Sequence, residues 1–252
     1  MAQLIADPRE VARGHHELAF AWDGAAPLPG QFISIKVNEG SDPLIRRPFS
    51  VYDFREGVLR IVVKSVGRGT RELSRYAKGD ALDVLGPLGR GFSVREGGSV
   101  LLVGGGVGNA PLYFLARALV AKGTAVTCVY GSRDAGQVYL SHEFLEVCDR
   151  LVITTDDGSA GQQGTVADLL PGVLDGGAFD MICTCGPALM MKAVTEIAVS
   201  RKVPVEVSLE NYFGCGVGLC YGCTVDTVNG NRRACVDGPV MDGSVIRWDS
   251  LD

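Results

Sequence analysis

Four cysteines near the C-terminal end of the chain constrain its fold more than any other sequence feature. Their spacing is C-x4-C-x2-C with a distant fourth member, and they are Cys215, Cys220, Cys223 and Cys235. This is a known ligand spacing of [2Fe–2S] clusters. The stretch TVDTVNGNRRA before the fourth cysteine reads as a hairpin that turns at NGN and returns the chain to the cluster. The pattern therefore predicts a [2Fe–2S] cluster on these four thiolates.

The loop that carries the first three cysteines is rich in glycine. Its glycines are Gly214, Gly216, Gly218 and Gly222. A loop that wraps a cluster needs left-handed backbone and close approach, and glycine supplies both without a steric cost. Apolar side chains are interleaved with the glycines, namely Tyr212, Phe213, Leu219 and Tyr221. We expect residues 212–223 to form an apolar docking surface beside the metal for a partner protein.

Other uses of the cysteines fit the pattern less well. A structural zinc site usually shows two C-x2-C pairs, and only Cys220 and Cys223 form one here. Disulfides are disfavoured because MAQLIADPRE shows no secretory signal and four further cysteines lie scattered in apolar stretches. Those four are Cys128, Cys148, Cys183 and Cys185. The scattered thiols predict a reducing compartment, the cytoplasm.

Composition excludes two classes of partner. The net charge of −5 and the pI near 5.3 give no support for nucleic-acid binding. No apolar run approaches the roughly 20 residues of a membrane-spanning helix. We therefore expect neither a nucleic-acid partner nor a membrane span.

The hydrophobic pattern divides the 252 residues into three parts. Residues 1–97 read as short alternating strands, such as QFISIKV and VLRIVVKSV, which favour a small antiparallel barrel. From residue 98 to residue 205, continuous apolar strands such as SVLLVG alternate with helical segments, a pattern typical of a doubly wound parallel sheet. Residues 206–252 contain the cysteine loop and its hairpin. We predict a β barrel, an α/β nucleotide domain and a small cluster domain.

A glycine-rich turn opens the second part. GGGVGNAP follows a buried strand and precedes a helix, so its backbone N–H groups and the helix N-terminus would face an anion. The candidate nucleotide-binding residues are Gly105, Gly106, Gly108 and Asn109. Two more strand ends, Gly131-Ser132-Arg133 and Cys185-Gly186-Pro187, belong at the same edge of such a sheet. An acidic residue at the second strand end would favour NAD, but Ser132 and Arg133 precede Asp134 there, and Arg133 could meet a 2′-phosphate.

Two motifs in the first part indicate phosphate binding. Arg46-Arg47-Pro48-Phe49-Ser50 offers a forked donor in Arg47 and a small hydroxyl in Ser50. Gly67-Arg68-Gly69-Thr70 opens a helical segment, with Thr70 as its predicted N-cap. Either motif alone could be an exposed basic turn, but together they predict a pyrophosphate site.

In this combination and order, the motifs resemble the ferredoxin–NADP reductase superfamily, and within it the electron-transfer subunits of class 1B dihydroorotate dehydrogenase. The motifs are RRPFS, GPLGRGF, VGGGVGNAPL, TDDGS, TCGP and CGVGLCYGC…CVDGP, and they span nearly the whole chain. The resemblance implies FAD bound in the barrel, with Ser50 near flavin N5, and Cys185 near the nicotinamide. The FAD residues that it implies are Arg47, Pro48, Phe49, Ser50, Lys64, Ser65, Val66, Gly69 and Thr70.

The resemblance also implies the activity. A separate FMN-containing dihydroorotate dehydrogenase catalytic subunit would oxidise dihydroorotate in pyrimidine biosynthesis, in a hetero-oligomer of two plus two chains. Electrons would then pass through the [2Fe–2S] cluster and FAD to NAD+ in this NAD-linked oxidoreductase subunit. The preference for NAD over NADP rests on the resemblance only.

Two other functions remain open at this point. The first is an NAD(P)H-linked flavin and iron–sulfur subunit of a hydrogenase or of a ferredoxin:NADP oxidoreductase complex, which has the same architecture. The second is a non-enzymatic iron–sulfur redox carrier or sensor that has kept the fold without flavin. The intact flavin motifs around Ser50 and Thr70 argue against the second.

Overall fold

The structure is a computed structural model that describes residues 1–40 and 42–251. Its first sheet is an antiparallel barrel of six strands, with a seventh strand, β2, paired to β3 outside the closure. The strands are β1 (Ala2–Leu4), β2 (Arg9–Ala12), β3 (His15–Ala21), β4 (Phe32–Lys36), β5 (Arg47–Arg55), β6 (Val58–Lys64) and β7 (Ala81–Leu88). A short helix, α1 (Arg68–Leu73), lies between β6 and β7. The predicted barrel is confirmed.

The barrel closes because its inward positions are apolar along every strand. The strand order β1-β7-β4-β5-β6-β3 returns to β1, so these six strands leave no unpaired edge. Side chains such as Leu18, Phe20, Ile33, Ile35 and Ile61 are fully buried inside.

The second sheet is parallel, except for its last strand. Its strands are β8 (Ser99–Gly105), β9 (Ala125–Ser132), β10 (Arg150–Thr155), β11 (Gln162–Gln163), β12 (Met181–Cys185), β13 (Val205–Ser208) and β16 (Val240–Asp242). The order is β11-β10-β9-β8-β12-β13-β16, and β16 pairs antiparallel with β13. Because the chain first winds from β8 toward β10 and then crosses back to β12, the switch point lies between β8 and β12.

Helices cover both faces of this sheet, as the sequence predicts. They are α2 (Asn109–Val120), α3 (Ser141–Val147), α4 (Val166–Asp175) and α5 (Ala188–Ser200). Buried leucines of α2 and Phe144 of α3 pack on one face, whereas Leu170 of α4 and Val194 of α5 pack on the other. Since both faces are covered, the central strands β8 and β9 are almost continuously buried.

The C-terminal segment does not form a core of its own. Its hairpin, β14 (Thr224–Val225) and β15 (Arg232–Arg233), is antiparallel as predicted but only two residues long on each side. Cys223, Val225 and Cys235 share a core with the parallel sheet and with Phe32 of the barrel. The chain leaves the sheet after β13 and rejoins it at β16, where the Leu209 N–H donates to the Pro239 carbonyl at 2.9 Å.

Candidate functional site

A cavity of about 390 Å³ opens at the switch point of the parallel sheet. The strands β8 and β12 end side by side there, with Gly104 in register with Cys185, and a 3-10 turn over Gly106–Gly108 follows β8. A Cβ on Gly108 would stand 2.2 Å from the Cys185 carbonyl oxygen, and one on Gly105 would stand 2.4 Å from Met190 Sδ. The turn therefore needs glycine for close packing against the neighbouring strand end.

The predicted nucleotide residues divide into two groups. Gly105 and Gly106 line the cavity, together with Val107 between Gly106 and Gly108. Asn109 is fully buried, and its amide donates to the carbonyls of Gly106 and Gly131 at 3.0 and 3.1 Å. Asn109 thus ties the turn to the next strand. The binding role of these residues remains a prediction.

The end of β9 is where the sequence predicts the adenosine ribose. Ser132, the last residue of β9, and Arg133 line the cavity there. The Asp134 carboxylate is already occupied, because it accepts from Arg13 at 2.6 Å, from Gln137 at 2.8 Å and from the Gly136 N–H at 2.9 Å. Asp134 is therefore directed toward the barrel rather than free to accept from a ribose hydroxyl.

Cys185 lies just behind the cavity wall. Its thiol is buried, and burial raises its pKa well above the usual thiol range, while the Ser208 hydroxyl donates to it. A thiol in this state is neutral and small. Its place near a nicotinamide remains a prediction from the resemblance.

A second cavity, of about 260 Å³, lies between the barrel and the parallel sheet. Six of the predicted FAD residues line its barrel side: Pro48, Phe49, Ser50, Lys64, Val66 and Thr70. The opposite side comes from the nucleotide turn and from the segment after β13. Arg47, Ser65 and Gly69 are not lining residues, but Arg47 Nε is 3.6 Å from the position of a Cβ on Gly69. Arg47 thus lies against the start of α1.

The two adjacent arginines have different environments. Arg46 is held by the barrel, donating to the Asp83 carboxylate at 2.5 Å and to the Asp83 carbonyl at 2.9 Å. Arg47 donates to the carbonyl of Ile45 at 2.5 Å, and within the described residues it has no carboxylate partner. Arg47 therefore keeps a charge available for a phosphate.

The N-cap prediction for α1 was wrong. The helix begins at Arg68 with Gly67 as its N-cap, and Thr70 is the third helical residue. The Thr70 hydroxyl still serves the helix start, because it accepts the N–H groups of Val66 and Gly67 at 3.0 Å each. The threonine accepts these hydrogen bonds from within the first turn of the helix. The sequence alone does not show whether a threonine lies at the N-cap or in the first turn.

Three residues form the common wall of the two cavities: Lys64, Val107 and Glu210. Burial raises the pKa of the Glu210 carboxyl, although its side chain stays accessible from the cavities. Burial also lowers the pKa of Lys64, and the nearby Arg133 lowers it further. Sequence reasoning missed Glu210, because the stretch SLENY has no motif that marks it.

The four predicted ligand cysteines fall into an outer pair, Cys215 and Cys220, and an inner pair, Cys223 and Cys235. The Cys215 sulfur accepts the N–H groups of Leu219 and Cys220 at 3.3 and 3.4 Å, and the Cys223 sulfur accepts the N–H of Cys235 at 3.4 Å. Within residues 1–40 and 42–251, no three Cys, His, Asp or Glu side chains converge on the position of one metal ion. A two-iron cluster needs two thiolates on each iron, which two pairs can supply.

Backbone N–H groups stabilise the thiolate form of Cys215 in the outer pair. Burial opposes ionisation of Cys215, but donors from Val217, Cys220 and Leu219 outweigh it and lower the pKa of this thiol to about 6. A thiolate is the form that binds iron. In the inner pair, burial and the neighbouring Cys223 raise the pKa of Cys235 to about 12. The assignment of all four as ligands remains a prediction.

The glycines of this loop act in two ways. Gly216 and Gly218 have φ of +73° and +80°, as expected, whereas Gly214 and Gly222 do not have positive φ. A Cβ on Gly214 or Gly222 would instead stand 3.1 or 3.6 Å from the Cys220 sulfur. Tyr221 also adopts positive φ, at 59°, which the sequence did not indicate.

The loop presents most, but not all, of its apolar side chains to solvent. Tyr212, Leu219 and Tyr221 are 88%, 79% and 65% exposed. Phe213 is buried against Phe32 and lines the second cavity, so its place on the docking surface was wrong. The other three side chains form the exposed patch, which we call the loop patch.

Comparisons with known proteins agree with this geometry. Residues 210–247 match the family described as the iron–sulfur cluster binding domain of dihydroorotate dehydrogenase B. Residues 102–196 match the oxidoreductase NAD-binding domain. The two matches cover the cysteine loop and the switch-point cavity in turn.

Full-length relatives are similar over most of the chain. The dihydroorotate dehydrogenase B (NAD(+)) electron transfer subunit of Desulforamulus reducens is 40% identical, over 88% of this chain and 87% of its own. The subunit of the same name from Geobacillus thermodenitrificans is 40% identical over 94% of both chains.

Solved structures show the same fold. A chain of NADH-dependent reduced ferredoxin-NADP oxidoreductase superposes with a TM-score of 0.89 at 38% identity, covering 100% of this chain and 91% of that one. A ferredoxin NADP+ reductase from Neisseria gonorrhoeae, with bound FAD and NADP, reaches 0.66 at 16% identity, over 79% and 90%. The latter likeness concerns the fold alone. Separately, none of the helices in the described part of the chain has the length and apolar character needed to cross a bilayer.

Proposed function

Because the chain belongs to the family of dihydroorotate dehydrogenase B electron transfer subunits, we propose that it carries electrons from a dihydroorotate-oxidising partner to NAD+. The observation that carries this proposal is the common wall of Lys64, Val107 and Glu210. It makes the barrel cavity and the switch-point cavity neighbours, while the cysteine loop packs on the outer side of the barrel cavity. The three proposed redox sites would thus follow one another within one chain.

The barrel cavity fits FAD. Pro48, Phe49 and Ser50 supply a rigid apolar wall with one hydroxyl, which suits the flat ring system of a flavin. Arg47 and the start of α1 supply the unpaired charge and backbone donors that a pyrophosphate requires. When bound, FAD would accept single electrons from the cluster and deliver a hydride to NAD+.

The switch-point cavity fits a nicotinamide dinucleotide. Gly105, Gly106 and Val107 line the cavity, and α2 begins two residues later at Asn109, so the N-terminus of this helix lies next to the cavity. Pro187 and Met190 form an apolar wall on the opposite side, next to Glu210. The carboxylate there suits a cationic nicotinamide ring.

The cysteine loop fits a [2Fe–2S] cluster. The two cysteine pairs provide four sulfur ligands, and backbone N–H groups already point at three of the sulfurs. The inner pair, Cys223 and Cys235, is buried in the core that also contains Phe32. The loop patch then lies on the solvent side of the cluster and is the proposed contact for the partner.

We propose an FMN-containing dihydroorotate dehydrogenase catalytic subunit as that partner, in a complex of two plus two chains. The proposed location is the cytoplasm, which the eight free thiols of this chain support. A subunit of a ferredoxin-NADP oxidoreductase complex is the second candidate, because a chain of such an enzyme superposes with a TM-score of 0.89.

Co-expression with candidate FMN proteins tests the proposal. We expect one dihydroorotate-oxidising FMN protein to co-purify, and dihydroorotate to reduce NAD+ only when both chains are present. The purified chain should contain FAD, iron and acid-labile sulfide. NAD+ reduction by reduced ferredoxin without any response to dihydroorotate would favour the second candidate. A chain that binds no flavin would contradict both.

A further inference from the structure

A buried carboxylate lies where the barrel meets the parallel-sheet domain. Asp53, on β5, has a side chain that is only 4% exposed. Arg55 Nε lies 3.1 Å from both of its oxygens, and Arg60 Nη1 donates to Oδ2 at 3.0 Å. Arg117 Nη1 donates to Oδ1 in a short contact. One carboxylate therefore neutralises part of the charge of three guanidinium groups.

The three arginines come from different parts of the fold. Arg55 and Arg60 belong to β5 and β6 of the barrel, whereas Arg117 belongs to α2 of the parallel-sheet domain. Of the three ion pairs that Asp53 makes, the one with Arg117 therefore crosses between the two, and the other two stay within the barrel. Arg55 adds a weaker link, because its Nη2 donates to the Tyr113 hydroxyl of α2 at 3.3 Å. We call Asp53 and its three arginines the Asp53 cluster.

The two elements joined by this cluster also carry the two cavities. β5 lines the barrel cavity with Pro48, Phe49 and Ser50 and reaches Asp53 three residues later. α2 begins at the glycine turn of the switch-point cavity and reaches Arg117 two turns later. A strand and a helix are stiff over such lengths. The position of α2 on β5 therefore fixes the position of one cavity relative to the other.

A second set of contacts also crosses between the barrel and the nucleotide domain. Arg13 bonds to Asp134 at 2.6 Å, Lys64 bonds to Gln137 at 3.1 Å, and His15 stacks on Tyr139. These contacts hold the adenosine end of the switch-point cavity and do not involve α2. Apolar contacts also join α2 to the barrel, because the rings of Tyr52 and Tyr113 lie 6.3 Å apart and Phe114 packs against the barrel core. Such contacts have no fixed direction, whereas the Asp53–Arg117 ion pair sets the position of α2 along β5.

We propose that Asp53 is a positioning residue that, through Arg117, sets the distance between the flavin and nicotinamide positions. This inference depends on the proposed function, since it assumes hydride transfer between the two cavities. Hydride transfer is sensitive to geometry, and a misplacement of about 1 Å can lower a rate by about a hundredfold. Loss of the crossing ion pair should therefore slow the transfer more than it weakens the binding of either cofactor.

The chain offers a matched pair of variants. Arg117→Gln and Arg60→Gln each remove one guanidinium from the Asp53 carboxylate, and the two side chains are similarly exposed, at 27% and 29%. Only the first breaks the crossing contact. Arg117→Lys keeps the charge and serves as the rescue variant. A purely structural role of the Asp53 cluster would make the two glutamine variants alike.

The first readout is anaerobic stopped-flow reduction of bound FAD by NADH in the full chain. We expect Arg117→Gln to lower the rate at saturating NADH by about tenfold or more, with half-saturating NADH changed less than about twofold. For Arg60→Gln, the rate and the half-saturating NADH concentration should both stay within about twofold of those of the unsubstituted chain. Arg117→Lys should recover most of the rate. Equal slowing by both glutamine variants, or an effect on half-saturation alone, would overturn the proposal.

The second readout does not depend on activity. Hydrogen–deuterium exchange of peptides from residues 109–120 should be at least about tenfold faster in Arg117→Gln than in Arg60→Gln. Equal protection of α2 in the two variants would contradict the proposed role of Asp53, whatever the measured rate of FAD reduction. If NADH fails to reduce FAD even in the unsubstituted chain, the proposed function is wrong, while the exchange comparison still decides whether Arg117 holds α2.

Discussion

Phe213 packs on Phe32 with the two ring centroids 4.8 Å apart and so joins the cysteine loop to the wall of the barrel cavity. Gly216 lies in the same contact, because a Cβ on it would stand 3.2 Å from Leu88 of the barrel. The loop and the barrel are thus in van der Waals contact beside the proposed flavin. Short separations of this kind favour electron transfer without movement of the loop.

Substitution of Phe213 by Ala should destabilise the chain, because it removes a buried ring from this contact. We expect a loss of about 3 kcal/mol, as for other buried aromatic side chains. Tyr212→Ala is the control, since Tyr212 is 88% exposed and should cost well under 1 kcal/mol. Thermal scans followed by flavin fluorescence measure both. A similar melting temperature for the two variants would contradict the packing role of Phe213.

Substitution of Cys220 by Ser should remove the cluster and spare the flavin. Iron and acid-labile sulfide, about two of each per chain in the unsubstituted protein, should fall to near zero, while FAD content stays close to one. The reason is that the proposed FAD residues lie in the barrel. Cys148→Ser, at the end of α3, is the control and should retain the cluster. Zinc in place of iron after anaerobic purification would show that the assignment is wrong.

Substitution of Glu210 by Gln should weaken NAD+ binding more than NADH binding, because only NAD+ carries a positive charge on its nicotinamide ring. Glu210 is an exposed residue, so one charge pair there contributes about 1 kcal/mol, which is roughly fivefold in relative affinity. The pKa of Glu210 is raised, so protonation should reduce the NAD+ preference of the unsubstituted chain as the pH falls toward that pKa. Titrations at several pH values measure this. A pH-independent ratio in the unsubstituted chain would exclude the role.

Substitution of Leu219 by Glu should abolish dihydroorotate-dependent NAD+ reduction in the complex, because it places a charge in the loop patch. NADH oxidation by an artificial acceptor through FAD should be unchanged. Leu145→Glu is the control, since Leu145 is also exposed, at 59%, but lies on α3. If both activities of Leu219→Glu equal those of the control, the docking surface lies elsewhere.

Substitution of Arg133 by Ala should distinguish the two dinucleotides. We expect the unsubstituted chain to prefer NADH, and the variant to lose about tenfold in kcat/KM with NADPH but less than twofold with NADH, since only NADPH has a 2′-phosphate. Arg150→Ala, at the opposite end of the sheet, is the control. A more than tenfold preference of the unsubstituted chain for NADPH would show that the expected NAD specificity is wrong.

The elements that sequence reasoning predicts well are those whose pattern is local. The alternating barrel strands and the glycine turn at Gly106 each depend on residues close together in the chain, and the structure places each as expected. The cysteine spacing is equally local, but the assignment of its ligands remains a prediction. The prediction of Thr70 as an N-cap was wrong for a local reason, because a hydroxyl can accept hydrogen bonds from backbone N–H groups at the helix start either from the N-cap or from the first turn.

Most of the features that the sequence could not indicate are made by distant residues. Glu210 becomes part of a common wall only because β13 ends between the two cavities. The Asp53–Arg117 pair joins residues 64 positions apart. The opposite directions of Tyr212 and Phe213 follow from where the loop meets the barrel, since neighbouring aromatics in an irregular segment have no periodicity that assigns a face.

The hydrogen bond from Leu209 to Pro239 has a consequence for engineering. It joins the two ends of the cysteine segment where they leave and re-enter the sheet, next to the pairing of Ser208 with Val240. The two ends of the segment are therefore adjacent, and a shorter connection between them would cost little additional chain entropy. Replacement of residues 210–238 by a tight turn should remove the cluster and leave β16 paired with β13. Because it also removes Glu210 and Phe213 from the cavity walls, the shortened chain should react with NADH more slowly than the full chain. Conversely, insertion of residues 210–238 at the same position of a flavin reductase with this fold should add a cluster that exchanges single electrons with the flavin.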